Sequence, residues 1–375
     1  WLPCLHFFFR SDAAGHLAPA GLSPKAERLL ARQNAIWLDP ALREREIGRM
    51  RLSNAEWDFM ARSFLAWSLA NVGLRDPARK KDCLAVMDRI LDETMRLERE
   101  KGWRFFLMPY ANDRPYVAQP EGSLFVDSEI ALMLGLRRLL EEREDYRAPL
   151  AGRVRLMVER MEKSEFLVAE SYPDECWMFD HLIALAAVRV ADALDGTDHS
   201  AFLARWLSNA KRRFVDPKTG LLLSSFTLSG RPIDGPEGST IWMAAHALQI
   251  LDPAFAEDQY RRAKKELSRS ALGFGYAVEW PSSWTGPMDV DSGPIVPVLG
   301  VSAGSSGLAF VGASAFGDRE FLSSLSATLD FAAFPEDSGG GLRYGASNAV
   351  GDAVLLYSTV LGPAWARVRD AGARR

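Results

Sequence analysis

Asp289 and Asp291 stand two residues apart in "GPMDVDSGPIVP", residues 286 to 297, a concentration of charge that a loop does not need. Neighbouring carboxylates repel, and one of such a pair is commonly pushed toward the protonated form that a general acid requires. A second concentration, "AESYPDECWMFDH", holds Glu170, Asp174, Glu175, Cys176, Asp180 and His181. Asp174 reads as the cap of a helix, and Asp180 lies about one turn inside it. A carboxylate there either faces a lumen or pairs with an arginine on a neighbouring helix. His181 follows about 100° further around that helix, so the two cannot both face the axis, and Asp180 is the expected inward group. Asp180 opposite Asp289 or Asp291, with Cys176 nearby, would supply a proton donor and a proton acceptor, which is acid–base chemistry without a cofactor.

Other polar residues mark further helix starts. "SLFVDSEIAL" places Asp127 and Glu129 at one, "DGPEGSTIW" places Glu237, Ser239 and Trp242 at another, and "ASNAVGDAV" places Asn348 and Asp352 at a third. Each alone is ordinary capping. Tyr116, Tyr172, Trp177, Trp280, Trp284 and Tyr344 are flat, electron-rich surfaces suited to a sugar ring or to a developing carbocation. With Asp127, Asp174, His181, Glu237 and Asn348 they are the candidate ligand-binding set.

Several motif readings fail on their own requirements. Gly300-Val301-Ser302-Ala303-Gly304 matches a nucleophile elbow, but the last histidine is His246, upstream of the serine where that fold needs one downstream. "DVDSG" opens like a calcium loop, yet Gly300 stands in "VLGVS" where a bidentate Glu belongs. "GGGLRYG" lacks the lysine of a phosphate loop. Cys4, Cys83 and Cys176 are scattered without metal spacing. No metal site is expected.

These residues must be held by something, and the periodicity is helical throughout. Apolar residues recur at helical spacing over about 24–36, 55–71, 78–99, 123–141, 148–163, 176–194, 199–213, 240–251, 253–269, 300–317, 318–333 and 347–361, with no convincing sheet. Tight turns such as Arg75-Asp76-Pro77 and Asp252-Pro253 alternate with links of about a dozen to thirty residues. A helix pair repeated six times, with every long link emerging at one end, predicts an all-α (α/α)6 toroid. The helix after each long link lines the interior: "IALMLGLRRLL" and "LIALAAVRVADAL" suit that place, and "AVMDRILDETMRLEREK" suits the outer layer. The expected toroid covers residues 21–365, between an N-terminal arm, 1–20, and a C-terminal tail, 366–375. The long links, rich in aromatic and acidic residues, would form the mouth of a central pocket.

At 375 residues and 48% hydrophobic, the chain can bury a large core. Its 45 basic and 49 acidic residues give a net charge of −4 and no basic stripe, so nucleic acid is not an expected partner. The expected partner is a small molecule, with homo-oligomerisation open. "WLPCLHFFFR" is too short to span a bilayer, which takes roughly 20 residues. It reads either as a packed arm or as the end of an anchor that would associate the protein with a membrane, and the compartment stays open.

The helix starts "ESYPDECWMFDH", "SSFTLSGRPIDGPEGS", "DVDSGPIVP" and "LRYGASNAVGDAVLLYS" on a six-pair toroid resemble the linalool dehydratase/isomerase-like family from about residue 50 onward. The resemblance implies a lyase or isomerase with a pocket for a small terpenoid alcohol, working by cofactor-free acid–base hydration, dehydration or allylic rearrangement. Members are associated with a cysteine pair near this helix, of which this chain has Cys176 alone. Carbohydrate-active enzymes share the architecture, and a glycoside hydrolase or a non-catalytic binding toroid are the alternatives. An apolar closed pocket, an open polar groove, or carboxylates all paired with arginines would separate the three.

Overall fold

The computed structural model describes residues 2–9, 13–288 and 292–373. Outer helix α1 (Pro24–Leu38) leads through the short α2 (Pro40–Arg43) and α3 (Arg49–Ser53) to the inner α4 (Ala55–Arg75). The outer–inner alternation then repeats as α5 (Lys80–Lys101) and α6 (Leu124–Leu140), α7 (Arg147–Lys163) and α8 (Met178–Asp195), α9 (Ser200–Arg213) and α10 (Gly238–Leu248). Two more pairs follow, α11 (Pro253–Leu267) with α12 (Ala303–Ala315) and α13 (Arg319–Ala332) with α14 (Ala349–Val360). Each inner helix packs on the next, and α14 returns to α4, closing the ring. The chain is an (α/α)6 toroid.

Burial explains which helix goes where. Every residue of α6 is buried, because an inner helix meets neighbours on all sides. In α5 only one stripe is buried, with Cys83, Val86, Met87, Ile90, Leu91 and Thr94 at helical spacing. Missing side chains let the inner helices close up: a Cβ on Gly135 would stand 2.8 Å from Val190, and one on Gly312 would stand 2.9 Å from Trp242.

The long links carry short sheets that the periodicity did not indicate. β1 (Cys176–Trp177), β2 (Ser225–Phe226) and β3 (Pro232–Asp234) pair antiparallel. Hairpins β4 (Ser268–Ala271) with β5 (Phe274–Ala277), β6 (Ile295–Val296) with β7 (Val301–Ser302), and β8 (Pro335–Ser338) with β9 (Gly341–Tyr344) complete them.

One terminal reading changes. The stretch read as a C-terminal tail from residue 366 begins inside α15 (Pro363–Ala373), which packs on α4, α6 and α8. There Trp365 stacks on His246 and donates its indole N–H to the His246 carbonyl at 3.2 Å, closing the ring at the end away from the long links. In the N-terminal arm Ala13 and His16 are buried, and His16 Nε2 meets Ser358 Oγ at 2.9 Å.

Candidate active site

The first turns of all six inner helices, with residues of the long links, surround one cavity of about 370 Å³. Inner-helix N-termini therefore converge there, and their unpaired N–H groups favour negative charge at the walls. Asn54, Ser123, Ser302 and Asn348 cap α4, α6, α12 and α14. Trp57, Met60, Phe125, Trp177, Phe179 and Leu308 make the lining largely apolar.

Polar groups interrupt that lining at a few places. Glu56, in the first turn of α4, accepts a hydrogen bond from the Tyr172 hydroxyl, and that oxygen accepts the Met108 N–H at 2.8 Å. Tyr172 is stacked on Tyr110 with centroids 4.4 Å apart. Burial pushes the Glu56 carboxyl above its ordinary range, the Tyr172 hydrogen bond opposes that, and the charge of Glu175 adds to it. Asp180, in the first turn of α8, accepts from the Ser171 hydroxyl. Glu237 reaches the cavity from the N-cap position of α10, beside Ser239 and Thr240.

Behind this wall lies Glu129, fully buried on α6. Burial pushes its carboxyl up to about 8, the Ser63 hydroxyl opposes, and the charge of Asp180 adds. On the other side Glu279 is buried and ties two inner helices together. It accepts from Ser239 N–H at 2.9 Å and Ser239 Oγ at 2.5 Å on α10, from Ser302 Oγ at the cap of α12, and from Ser292 Oγ at 3.3 Å.

The residues singled out from the sequence separate into groups. Tyr172, Trp177, Asp180, Glu237 and Asn348 line the cavity. His181 is turned away from it: its Nδ1–H donates to the Trp177 carbonyl at 2.6 Å and its Nε2 accepts the Ala169 N–H at 3.0 Å. Asp289 and Asp291 lie outside the described residues.

Several of those readings need correction. Cys176 is buried and absent from the cavity lining, because side chains alternate along β1 and its neighbour Trp177 takes the cavity side. Burial pushes its thiol well above the ordinary range. Asp174 does not cap α8, whose N-cap position is Trp177; at φ +53° it accepts the Leu228 N–H at 3.1 Å. Asp127 is held by Arg153 and Arg160, each at 2.6 Å. Ser302 caps α12, and Pro294 precedes hairpin β6–β7. Tyr116, Trp280, Trp284 and Tyr344 are not cavity walls. Their polar atoms serve the links instead, donating to the Ser171 carbonyl at 3.0 Å, Asp234 at 3.1 Å, the Pro287 carbonyl at 2.9 Å and Asp330 at 3.2 Å respectively.

Sequence reasoning passed over Glu56, Glu279 and Tyr110. Glu56 follows the cap Asn54 in "NAEWDF" and looks like ordinary first-turn charge, while Glu279 is a lone carboxylate in the apolar run "GYAVEWP", a signal that was available. Among the described residues no three His, Cys, Asp or Glu side chains gather as a metal site.

A toroid with a ligand-sized cavity at the N-terminal ends of its inner helices is the class that these observations define. Residues 131–350 match the family model described as linalool dehydratase/isomerase, and the chain belongs to that family. No curated protein sequence matches it. Among solved structures it is similar to the GH76A α-1,6-mannanase from Salegentibacter sp. HEL1_6, with TM-score 0.54 and 11% identity over 89% of this chain and 97% of that one. A GH76 α-mannanase from Bacteroides thetaiotaomicron gives TM-score 0.50 and 9% identity over 83% and 87%. At such identities the likeness is one of fold.

Proposed function

We propose that this protein is a lyase or isomerase that adds, removes or shifts the hydroxyl of a small apolar, terpenoid-like alcohol by acid–base chemistry. The observation that carries the reading is a pair of carboxyl groups, Glu56 and Asp180, each hydrogen-bonded to a hydroxyl, on the wall of a largely apolar cavity. Glu56, held toward its neutral form by burial, is the proton donor to the substrate hydroxyl. The C–O bond then breaks and water leaves. Asp180 takes the proton from the adjacent carbon, and its electron pair becomes the new double bond. Returning water to a different carbon of an allylic cation gives the isomer, and running the steps backward gives hydration. Trp57, Phe125 and Trp177 offer ring faces to the developing positive charge. The family membership supports the choice of alcohol. The apolar lining, with Trp280 and Trp284 away from it, favours this over glycoside cleavage.

The test is turnover of linalool and related small allylic alcohols by the purified chain, with products separated by gas chromatography and model glycosides run in parallel. Glu56→Gln and Asp180→Asn each keep shape but cannot exchange protons, so each should lower turnover at least roughly a hundredfold in a folded protein. Turnover of glycosides and not of alcohols, or unchanged turnover in both variants, would sink the reading.

A further inference from the structure

Among the described residues the exposed bulky apolar side chains belong mainly to the mouth end of the ring. Leu38 and Phe331 end outer helices there. Leu52, Tyr110, Val117, Leu272, Met288, Val296, Val298, Leu299 and Phe334 sit on the long links, and Phe7 and Phe8 follow His6, which packs on Gly273 and Phe274 of hairpin β4–β5 beside α13. The opposite end is charged and ion-paired, with Glu142 and Asp195 both on Arg138, Asp145 on Arg143 and Glu141 on Lys80.

Hairpin β6–β7 is the most exposed part of this face. Its register pairs Ile295 with Ser302 and Val296 with Val301, and its tip is Pro297-Val298-Leu299-Gly300. Val298 is fully exposed, with Val296 and Leu299 about half exposed at 52% and 51%. The Leu299 N–H donates to the Pro297 carbonyl at 2.9 Å around Val298 at φ +73°, a tight three-residue turn of the rare left-handed kind. A β-branched residue is a poor choice there, since Gly or Asn would fit without strain. The strained turn presents a valine to solvent, and the chain supplies no contact that rewards it. From Ser292 to Gly317 the sequence carries no charge, and Ser292, Gly293, Pro294, Ala303 and Gly304, which flank the hairpin, line the cavity.

We infer that this face docks on a lipid bilayer, with the β6–β7 tip inserted and the cavity mouth opening onto the membrane surface. A second protein copy fits less well. Four aliphatic side chains at the tip, on the order of 100 Å² each, fall short of the roughly 800 Å² per partner of a stable protein interface. The remaining apolar residues form a second group around Phe274 and Phe331 or stand apart on other links. A bilayer tolerates that spacing because each side chain partitions independently, whereas a protein partner needs one contiguous complementary patch. Docking is interfacial, since no single helix among the described residues is long and apolar enough to cross a membrane. The inference rests on the surface and not on the proposed reaction, so either can fail alone.

Flotation of the full chain with phosphatidylcholine vesicles, with and without phosphatidylglycerol, tests it, and sedimentation velocity without lipid accompanies it. The chain should float with neutral vesicles, and Leu299→Asp should lower the bound fraction at least tenfold without changing the melting temperature. Val298→Asn, which suits the left-handed turn, should raise the melting temperature while weakening flotation. A chain that stays with the aqueous fraction, variants that float as well as the parent, or a dimer dissolved by Leu299→Asp would each overturn the inference, the last in favour of a second copy.

Discussion

Glu129 sits behind the cavity wall with its carboxyl raised to about 8 by burial, so it is neutral when the protein is folded near pH 7. Its unfolded value is close to 4.3. A carboxyl raised on folding stabilises the fold fully below the unfolded value, and that contribution is lost as pH rises through the folded one. Between about pH 4.3 and 8 the loss approaches roughly 1.4 kcal/mol per unit for this one group. Glu129→Gln should therefore be more stable than the parent at pH 9 and lose that advantage by pH 4, as read by urea unfolding at both pH values. An advantage unchanged by pH would show that Glu129 does not titrate in this window. Asp352, raised to about 7 by burial, adds a loss of the same sign that the Glu129 variant leaves in place. Chemistry-bearing residues were legible where a helix start fixed their direction, as with Asp180 and Glu237. They were illegible where a long link decided it. Tyr116, Trp280, Trp284 and Tyr344 look like pocket walls by type, but each phenol or indole has a loop carbonyl or carboxylate to satisfy, and no periodicity in a link announces that partner.

Between α10 and α12 the Glu279 carboxylate takes the place of direct cap-to-cap contact, gathering donors from Ser239, Ser292 and Ser302. Hydrogen bonds to a buried charge contribute about 1.5–3 kcal/mol each, and glutamine would turn an N–H₂ group toward at least one of these donors. Glu279→Gln should cost about 3 kcal/mol of stability and raise KM for the cavity ligand more than it lowers kcat, because Ser239 and Ser292 line the cavity without supplying a proton in the proposed reaction. A fall in kcat alone would make it part of the chemistry instead. At α6, Asp127 is clamped between Arg153 and Arg160 on α7. Removing its charge takes the ion-pair partner from Arg160 and leaves Arg153 to Glu98, so Asp127→Asn should lose about 3 kcal/mol while turnover per folded molecule stays normal. A loss of turnover with stability intact would return Asp127 to the site. The helix pairs themselves were legible because an inner helix and an outer one differ in composition all the way round. The four small sheets were not, since two to four paired residues give too short an alternation to stand above the background.

On the scale of the whole ring, three buried histidines join segments that the helix pairs alone would leave apart. His16 fixes the N-terminal arm to Ser358 on α14. His181 holds the Ala169 N–H of the preceding link against α8. His246 on α10 accepts from Tyr357 on α14 at 2.8 Å and is covered by Trp365 of the closing helix α15. Burial lowers all three, to about 3 for His16 and about 4 for His181 and His246. The closing helix was the part of the ring least visible in the sequence, because "PAWARVRDAGARR" is polar at the helix surface and its one large apolar residue, Trp365, finds its partner across the ring. A histidine lowered on folding contributes stability that is present above its unfolded value of 6.5 and is lost as pH falls toward the folded one. Protonating His181 at Nε2 would also expel the Ala169 N–H, and protonating His246 would oppose two donors across the Tyr357 bond unless that hydroxyl turned. The histidine contribution should therefore fall from about pH 6.5 down to about pH 4, by up to roughly 1.4 kcal/mol per unit for each of the three, against the opposite contributions of Glu129 and Asp352 in the same window. Equilibrium urea unfolding of the parent and of the His181→Gln, His246→Gln double variant measures it as the difference between their slopes, which should approach roughly 2.8 kcal/mol per pH unit, two histidine contributions. A double variant with the same slope as the parent would leave these histidines as packing.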